Sequence, residues 1–90
     1  MMSERYLEVT YRHGRALAAY LHLPGSTAAK SARTVKFAEG LLVDYAATGD
    51  AIGLEITAPG QVSVEDVNAV LHAVGQPGVG PEELAPLHAA

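Results

Sequence analysis

Residues 33–57 read RTVKFAEGLLVDYAATGDAIGLEIT, and the period of their apolar side chains predicts three antiparallel strands joined by two Gly-containing turns. If 33–37 is extended, Arg33, Val35 and Phe37 share one face. A three-residue loop, Ala38-Glu39-Gly40, then sets Phe37 against Leu41 and Val35 against Val43, with Gly40 in the left-handed conformation such a loop requires. A two-residue loop alone would set Val35 against Asp44, so burial selects the longer connection. The next turn, over Ala47-Thr48-Gly49-Asp50 or more tightly over Thr48-Gly49, predicts Tyr45 facing Ile52, Val43 facing Leu54 and Leu41 facing Ile56. One apolar face results, while Asp44, Gly53, Glu55 and Thr57 occupy the other.

Working outward, Tyr6 to Tyr11 alternates with Leu7, Val9 and Tyr11 on one side, and its Val, Thr and Tyr content suits a strand. His13-Gly14-Arg15 offers a turn into a second strand over Ala16 to Leu23, ended by Pro24-Gly25. Pro24 to Ser31 reads as a polar loop. Downstream, Pro59-Gly60 ends the sheet and Ser63 is placed to cap a helix. Glu65 and Asp66 lie in its first turn, and Gly75 stops it. Val64, Val67, Val70, Leu71 and Val74 fall on one helical stripe, the expected lid for the apolar sheet face. The expected fold is α+β, a four- to five-stranded antiparallel β-meander covered on one face by a C-terminal helix. Its single domain covers residues 1–75, with strands over about 5–57 and the helix over about 63–74. Residues 76–90 read as a Gly/Pro linker and a short helical segment begun by Pro81.

The chain has 90 residues and no Cys, which excludes disulfides, zinc–thiolate sites and thiol nucleophiles. A domain this small leaves a thin stability margin, so a second subunit covering apolar surface would help. All six Lys and Arg lie in the first 36 residues, whereas eight of the ten acids follow, and the net charge is −4. A basic N-terminal region could meet nucleic acid or an acidic partner, but the overall sign opposes phosphate. The bland alternative is pairing of opposite charges across neighbouring strands. The opening MMSERYLEVTYRHG carries charges where a secretory leader needs an apolar run, and no run suits a membrane span. The expected location is the cytoplasm.

EGLLVDYAATGDAIGLEIT resembles the signature of the small bacterial domain-of-unknown-function 2283 family: a Gly-apolar-apolar-Val-Asp-Tyr strand, a Gly turn, and an Ile-Gly-apolar-Glu-Ile strand. YLEVTYRHGRALAAYLHL resembles that family's opening hairpin. It departs at His13-Gly14-Arg15 and Ala18-Ala19-Tyr20, where members commonly carry acidic residues around an Ala-Asp-Ala-Leu-Tyr core. The resemblance covers about residues 6–58. It implies the fold and no established activity, and it implies an accessory or antitoxin-like role beside a co-expressed protein. Leu23-Pro24-Gly25 is also similar to a turn of HicB-type antitoxins, a family the downstream block does not fit.

Asp44 and Glu55 are the leading candidates for chemistry, because the register puts them diagonally on one face of adjacent strands. Paired carboxylates can separate their pKa values for acid/base work or help hold a cation. The alternatives are solvation, or pairing with Arg33 and Lys36. Gly53, opposite Asp44, leaves room for a close approach by another group. Asp44, Gly53 and Glu55 thus form the candidate interaction surface. His13, His22, His72 and His88 lack metal-ligand spacing, and Ser26-Thr27 has no base placed beside it. Arg5, Arg12 and Arg15, with Tyr6, Tyr11 and Tyr20, are the candidate nucleic-acid contacts. The function expected is non-enzymatic protein–protein association, as a homodimer or as partner of a co-expressed protein, with no cofactor, metal or membrane. The alternatives are nucleic-acid association through the N-terminal hairpin, or a small hydrolase or cation site at Asp44 and Glu55.

Overall fold

A computed structural model describes residues 5–24 and 30–88. Five strands form one antiparallel sheet: β1 (Tyr6–Arg12), β2 (Arg15–His22), β3 (Arg33–Ala38), β4 (Leu41–Tyr45) and β5 (Ala51–Ile56). Helix α1 (Val64–Ala73) and a short α2 (Ala85–His88) follow, each preceded by a 3-10 turn, Pro59–Gln61 and Pro81–Glu83. The α+β class and the helix-covered antiparallel sheet are as the sequence predicts. The spatial order is β1-β2-β5-β4-β3. The stretch β3–β5 is a meander, and the first hairpin adds to it through β2 pairing with β5.

The hairpin tip turns at His13-Gly14, both at positive φ (52° and 77°), the combination that matches the twist of two-residue hairpins. Two further turns correct the predicted registers. Val35 does face Val43, but Phe37 does not face Leu41. The chain turns more tightly, at Glu39-Gly40, and Ala38 pairs with Leu41. Phe37 is the extra residue of a bulge, 41% exposed. A tight turn and a bulge together restore the apolar phase that a longer loop was expected to set. Likewise Leu41 faces Ile56 and Val43 faces Leu54 as expected, whereas Tyr45 faces Ala51 and Ile52 is absorbed at an irregularity.

One side of the sheet contributes Ala19, Leu21, Leu41, Val43, Leu54 and Ile56 to the core. Helix α1 lays Val67, Val70 and Leu71 on that side. Its start is fixed by a capping box: the Ser63 hydroxyl accepts from the Asp66 N–H and the Asp66 carboxylate accepts from the Ser63 N–H. Gly75, at φ 76°, ends it.

Residues beyond the helix belong to the same core. Val79, Leu84 and Leu87 are buried in it. The Asn68 side chain clamps Val79 through Nδ2 to the carbonyl (3.1 Å) and the Val79 N–H to Oδ1 (2.7 Å). Arg5 donates to the carbonyls of Pro77 and Gly78 and reaches Glu83 at 3.3 Å. Tyr11 donates to the Pro86 carbonyl at 3.0 Å, and His88 Nε2 lies 2.9 Å from the Val62 carbonyl.

Candidate functional site

With the helices gathered on one side, the alternation of strand residues sends the remaining side chains to the opposite face. Two rows cross it. The first runs Tyr6, His22, Gly53, Asp44, Thr34, and the second runs Glu8, Tyr20, Glu55, Leu42, Lys36. Among the described residues no helix packs on this face.

Its centre is a polar lock. Tyr20 starts on β2 and its ring passes over Gly53 on β5. Its hydroxyl donates to Asp44 Oδ2 on β4 at 2.9 Å. Thr34 on β3 donates to Asp44 Oδ1 at 2.6 Å. Both carboxylate oxygens are therefore engaged by neighbouring strands, and Asp44 is only 6% exposed. A methyl placed on Gly53 would stand 2.2 Å from the Tyr20 hydroxyl oxygen and 2.3 Å from its ring. The space that the sequence leaves at Gly53 is thus taken by the chain's own Tyr20.

Glu55 stands beside this lock. Its carboxyl is pushed above the usual range, first by the hydrogen bond its protonated form gives Asp44, then by partial burial and the Asp44 charge. Burial, followed by the bond to Asp44, pushes the Tyr20 hydroxyl up, so it stays a donor. An open groove of about 320 Å³ runs alongside, lined by Glu8, Thr10, Ala18, Tyr20, Glu55 and Thr57 among others. In the neighbouring row Tyr6 stacks on His22 with centroids 4.2 Å apart, and Tyr20 meets His22 edge-on at 4.6 Å. His22 Nε2 lies 2.8 Å from Glu8 Oε1.

The structure therefore brings Asp44, Gly53 and Glu55 together, with Asp44 facing Gly53 and Leu42 facing Glu55 as the sequence predicts. It adds Tyr20, Thr34 and His22. The sequence offers Tyr20 only as a candidate nucleic-acid contact, because the β2–β5 pairing that carries its ring to Gly53 is long-range. Neither cation considered as a partner for the carboxylates reaches them. Lys36 pairs with Glu39 at 2.7 Å, and the Arg33 guanidinium sits 4.7 Å from the Tyr45 ring centroid. Among the described residues no three His, Asp or Glu side chains converge in a metal-binding group, and no helix is long and apolar enough to cross a membrane.

The three arginines are not brought together. Arg5 stands just before β1 and is turned into the C-terminal segment, whereas Arg12 and Arg15 flank the opposite end of that strand, at the hairpin tip. Ser26 and Thr27 lie outside the described residues. No protein-family model, curated protein or solved structure matches the chain.

Proposed function

We propose that this chain is a non-catalytic association module that binds another protein surface through the open sheet face and its adjoining edge. The observation that carries the reading is the state of Asp44. A general base or metal ligand must be open to its target. Asp44 is 6% exposed, each of its oxygens already accepts a hydrogen bond from a neighbouring strand, and the carboxylate ties three strands together. The lock stiffens a face whose β1–β2–β5 side carries aromatic and acidic groups, Tyr6 and Glu8 exposed, and Tyr20, His22 and Glu55 half-buried. Rigid aromatic side chains give contact area at small entropic cost.

The test pairs sedimentation of the purified chain with nuclease-treated tagged purification from its native host. The expected result is a defined self-assembly or one stoichiometric protein partner, weakened by Glu55→Lys with the fold intact by circular dichroism. A chain that stays monomeric near 100 µM, a dissociation constant worth about −5.5 kcal/mol, and retains no stoichiometric partner refutes the proposal.

A second reading draws on Glu55. A carboxyl with raised pKa next to an ionised one is the arrangement of an acid/base pair, and the groove beside it could admit a small substrate. Hydrolysis abolished by Glu55→Gln in a substrate screen would favour it. Thermal stabilisation by magnesium, manganese, calcium or zinc, lost in the same variant, would favour the cation version.

A further inference from the structure

Resting on the association reading, we infer that the partner is a second copy of this chain, joined antiparallel along the free edge of β1 so that two sheets become one. The sheet has two outer strands, and they differ. On β3, Arg33 and Lys36 set like charges along a short strand that a bulge at Phe37 interrupts. Edge cations and bulges are the devices that keep a strand from recruiting another. β1 is less guarded, its one cation being Arg12 at its last position. It carries no Pro or Lys, and the extra residue of its irregular pairing is Leu17 on β2, which leaves Tyr6–Arg12 unbroken.

The backbone donors on this edge can be assigned. The Leu23 N–H donates to the Ile52 carbonyl, so the odd positions of this strand point their polar groups toward β5 and the even ones toward β1. Consequently Tyr6, Glu8 and Thr10, which face His22, Tyr20 and Ala18, direct their backbone groups inward. Leu7, Val9 and Tyr11 direct theirs outward, where no strand lies among the described residues.

A twofold axis at Val9 satisfies all of them. Leu7 meets the partner's Tyr11, Val9 meets the partner's Val9, and each N–H and C=O finds its counterpart. The side chains agree on both faces. On the open face Tyr6 lies opposite the partner's Arg12, with Glu8 diagonal to it, an arrangement for cation–π contact and ion pairing. On the helix side half-buried Leu7 and Val9 meet the partner's Tyr11 and Val9. Tyr6 and Tyr11, 55% and 50% exposed, are two of the four large apolar side chains left exposed among the described residues. Neighbouring registers are worse. An axis at Glu8 sets two carboxylates face to face. An axis at Thr10 puts Leu7 against the partner's His13, whose φ of 52° lies outside strand geometry.

Arg12 is exposed and joins no ion pair among the described residues, so its reversal should leave the monomer fold intact. In sedimentation equilibrium the chain is expected to dimerise. Arg12→Glu raises the dissociation constant about tenfold, from two symmetry-related contacts each turned from attractive to repulsive. The swap Glu8→Arg with Arg12→Glu returns it to within about threefold of the original value. Val9→Pro removes an N–H that the β1–β2 ladder does not use and abolishes the dimer. Amide exchange at Leu7, Val9 and Tyr11 slows as concentration rises. A dimer indifferent to Arg12→Glu and Val9→Pro but broken by Glu55→Lys overturns the edge pairing and leaves the association module standing. A monomer that captures a different protein overturns it in the same way. A monomer with no partner overturns both.

Discussion

Gly53→Ala is the smallest perturbation that tests the lock on the open face. Gly53 has no positive φ to protect, so its value lies in space alone. A single added methyl would stand 2.2–2.3 Å from the hydroxyl and ring of Tyr20, closer than non-bonded carbon and oxygen come. Two responses are open. If the ring stays, overpacking costs about 1–3 kcal/mol. If it swings toward solvent, the bond from Tyr20 to the buried Asp44 carboxylate is lost, at about 1.5–3 kcal/mol for a bond to a charged group. The hydroxyl is the far end of a side chain open on one side, so swinging out is the cheaper course. Replacing Gly within a strand returns about 0.5–1 kcal/mol of chain entropy. The net loss is about 1–2 kcal/mol, a fall in Tm of about 5–15 °C for a domain of this size. Urea or thermal unfolding followed by circular dichroism measures it. The same contact couples Gly53 to the Tyr20 hydroxyl. Tyr20→Phe should cost about 1.5–3 kcal/mol in the parent and close to nothing in the Gly53→Ala background, where the hydroxyl is already displaced. If Gly53→Ala is neutral or stabilising, or Tyr20→Phe costs the same in both backgrounds, the ring does not do what the geometry assigns to it.

Three further outcomes follow from other parts of the fold. Because the folded-state pKa of Glu55 is raised, the folded chain binds its proton more tightly than the unfolded one. Its contribution is therefore fully present below the usual carboxylate range and is lost as pH rises through the raised value. Glu55→Gln should stabilise the domain at pH 7 relative to the parent, and the difference between the two unfolding curves should shrink toward acid pH. Asn68→Ala leaves the Val79 N–H and carbonyl without their partners, and is expected to cost about 1–3 kcal/mol while speeding amide exchange and proteolysis over 77–88. Ser63→Ala removes the cap of α1 and should cost about 1 kcal/mol in chemical denaturation.

Much of this architecture is legible in the sequence because it is local. The alternation in LLVDY and AIGLEI sets Leu41 against Ile56 and Val43 against Leu54. Ser63 and Gly75 mark the helix ends by the chemistry of caps. What sequence reading misses is of two kinds. Bulges at Phe37 and Ile52 change a register without changing the pattern of apolar residues, so burial alone could not distinguish a longer loop from a tight turn with an extra residue. Long-range neighbours are the other kind. Nothing local says that β2 lies against β5, and that pairing decides that Tyr20 crosses Gly53 to reach Asp44. The C-terminal segment read as a linker because its Gly and Pro content hides three anchors, Val79, Leu84 and Leu87, whose burial depends on Asn68 and Arg5 reaching them from elsewhere in the chain.

The candidate carboxylates carry unequal weight for the same reason. Asp44 looked like half of a reactive pair when its surroundings were unknown, yet its burial and its bonds assign it to structure: one oxygen holds β3 through Thr34, the other holds β2 through Tyr20. Of the two carboxylates, that leaves Glu55 to answer a visitor, and its answer depends on charge. A cationic group arriving at the groove would favour the ionised Glu55 and draw its proton away, whereas a neutral apolar surface would favour the protonated form already held beside Asp44. Binding of a basic partner should therefore release a proton at a pH near the raised Glu55 value, and binding of an apolar one should not. Calorimetry in two buffers of different ionisation enthalpy separates the cases. Proton release that survives Glu55→Gln would assign the titration to another group, and the open face would then lose its claim to be the surface that meets the partner.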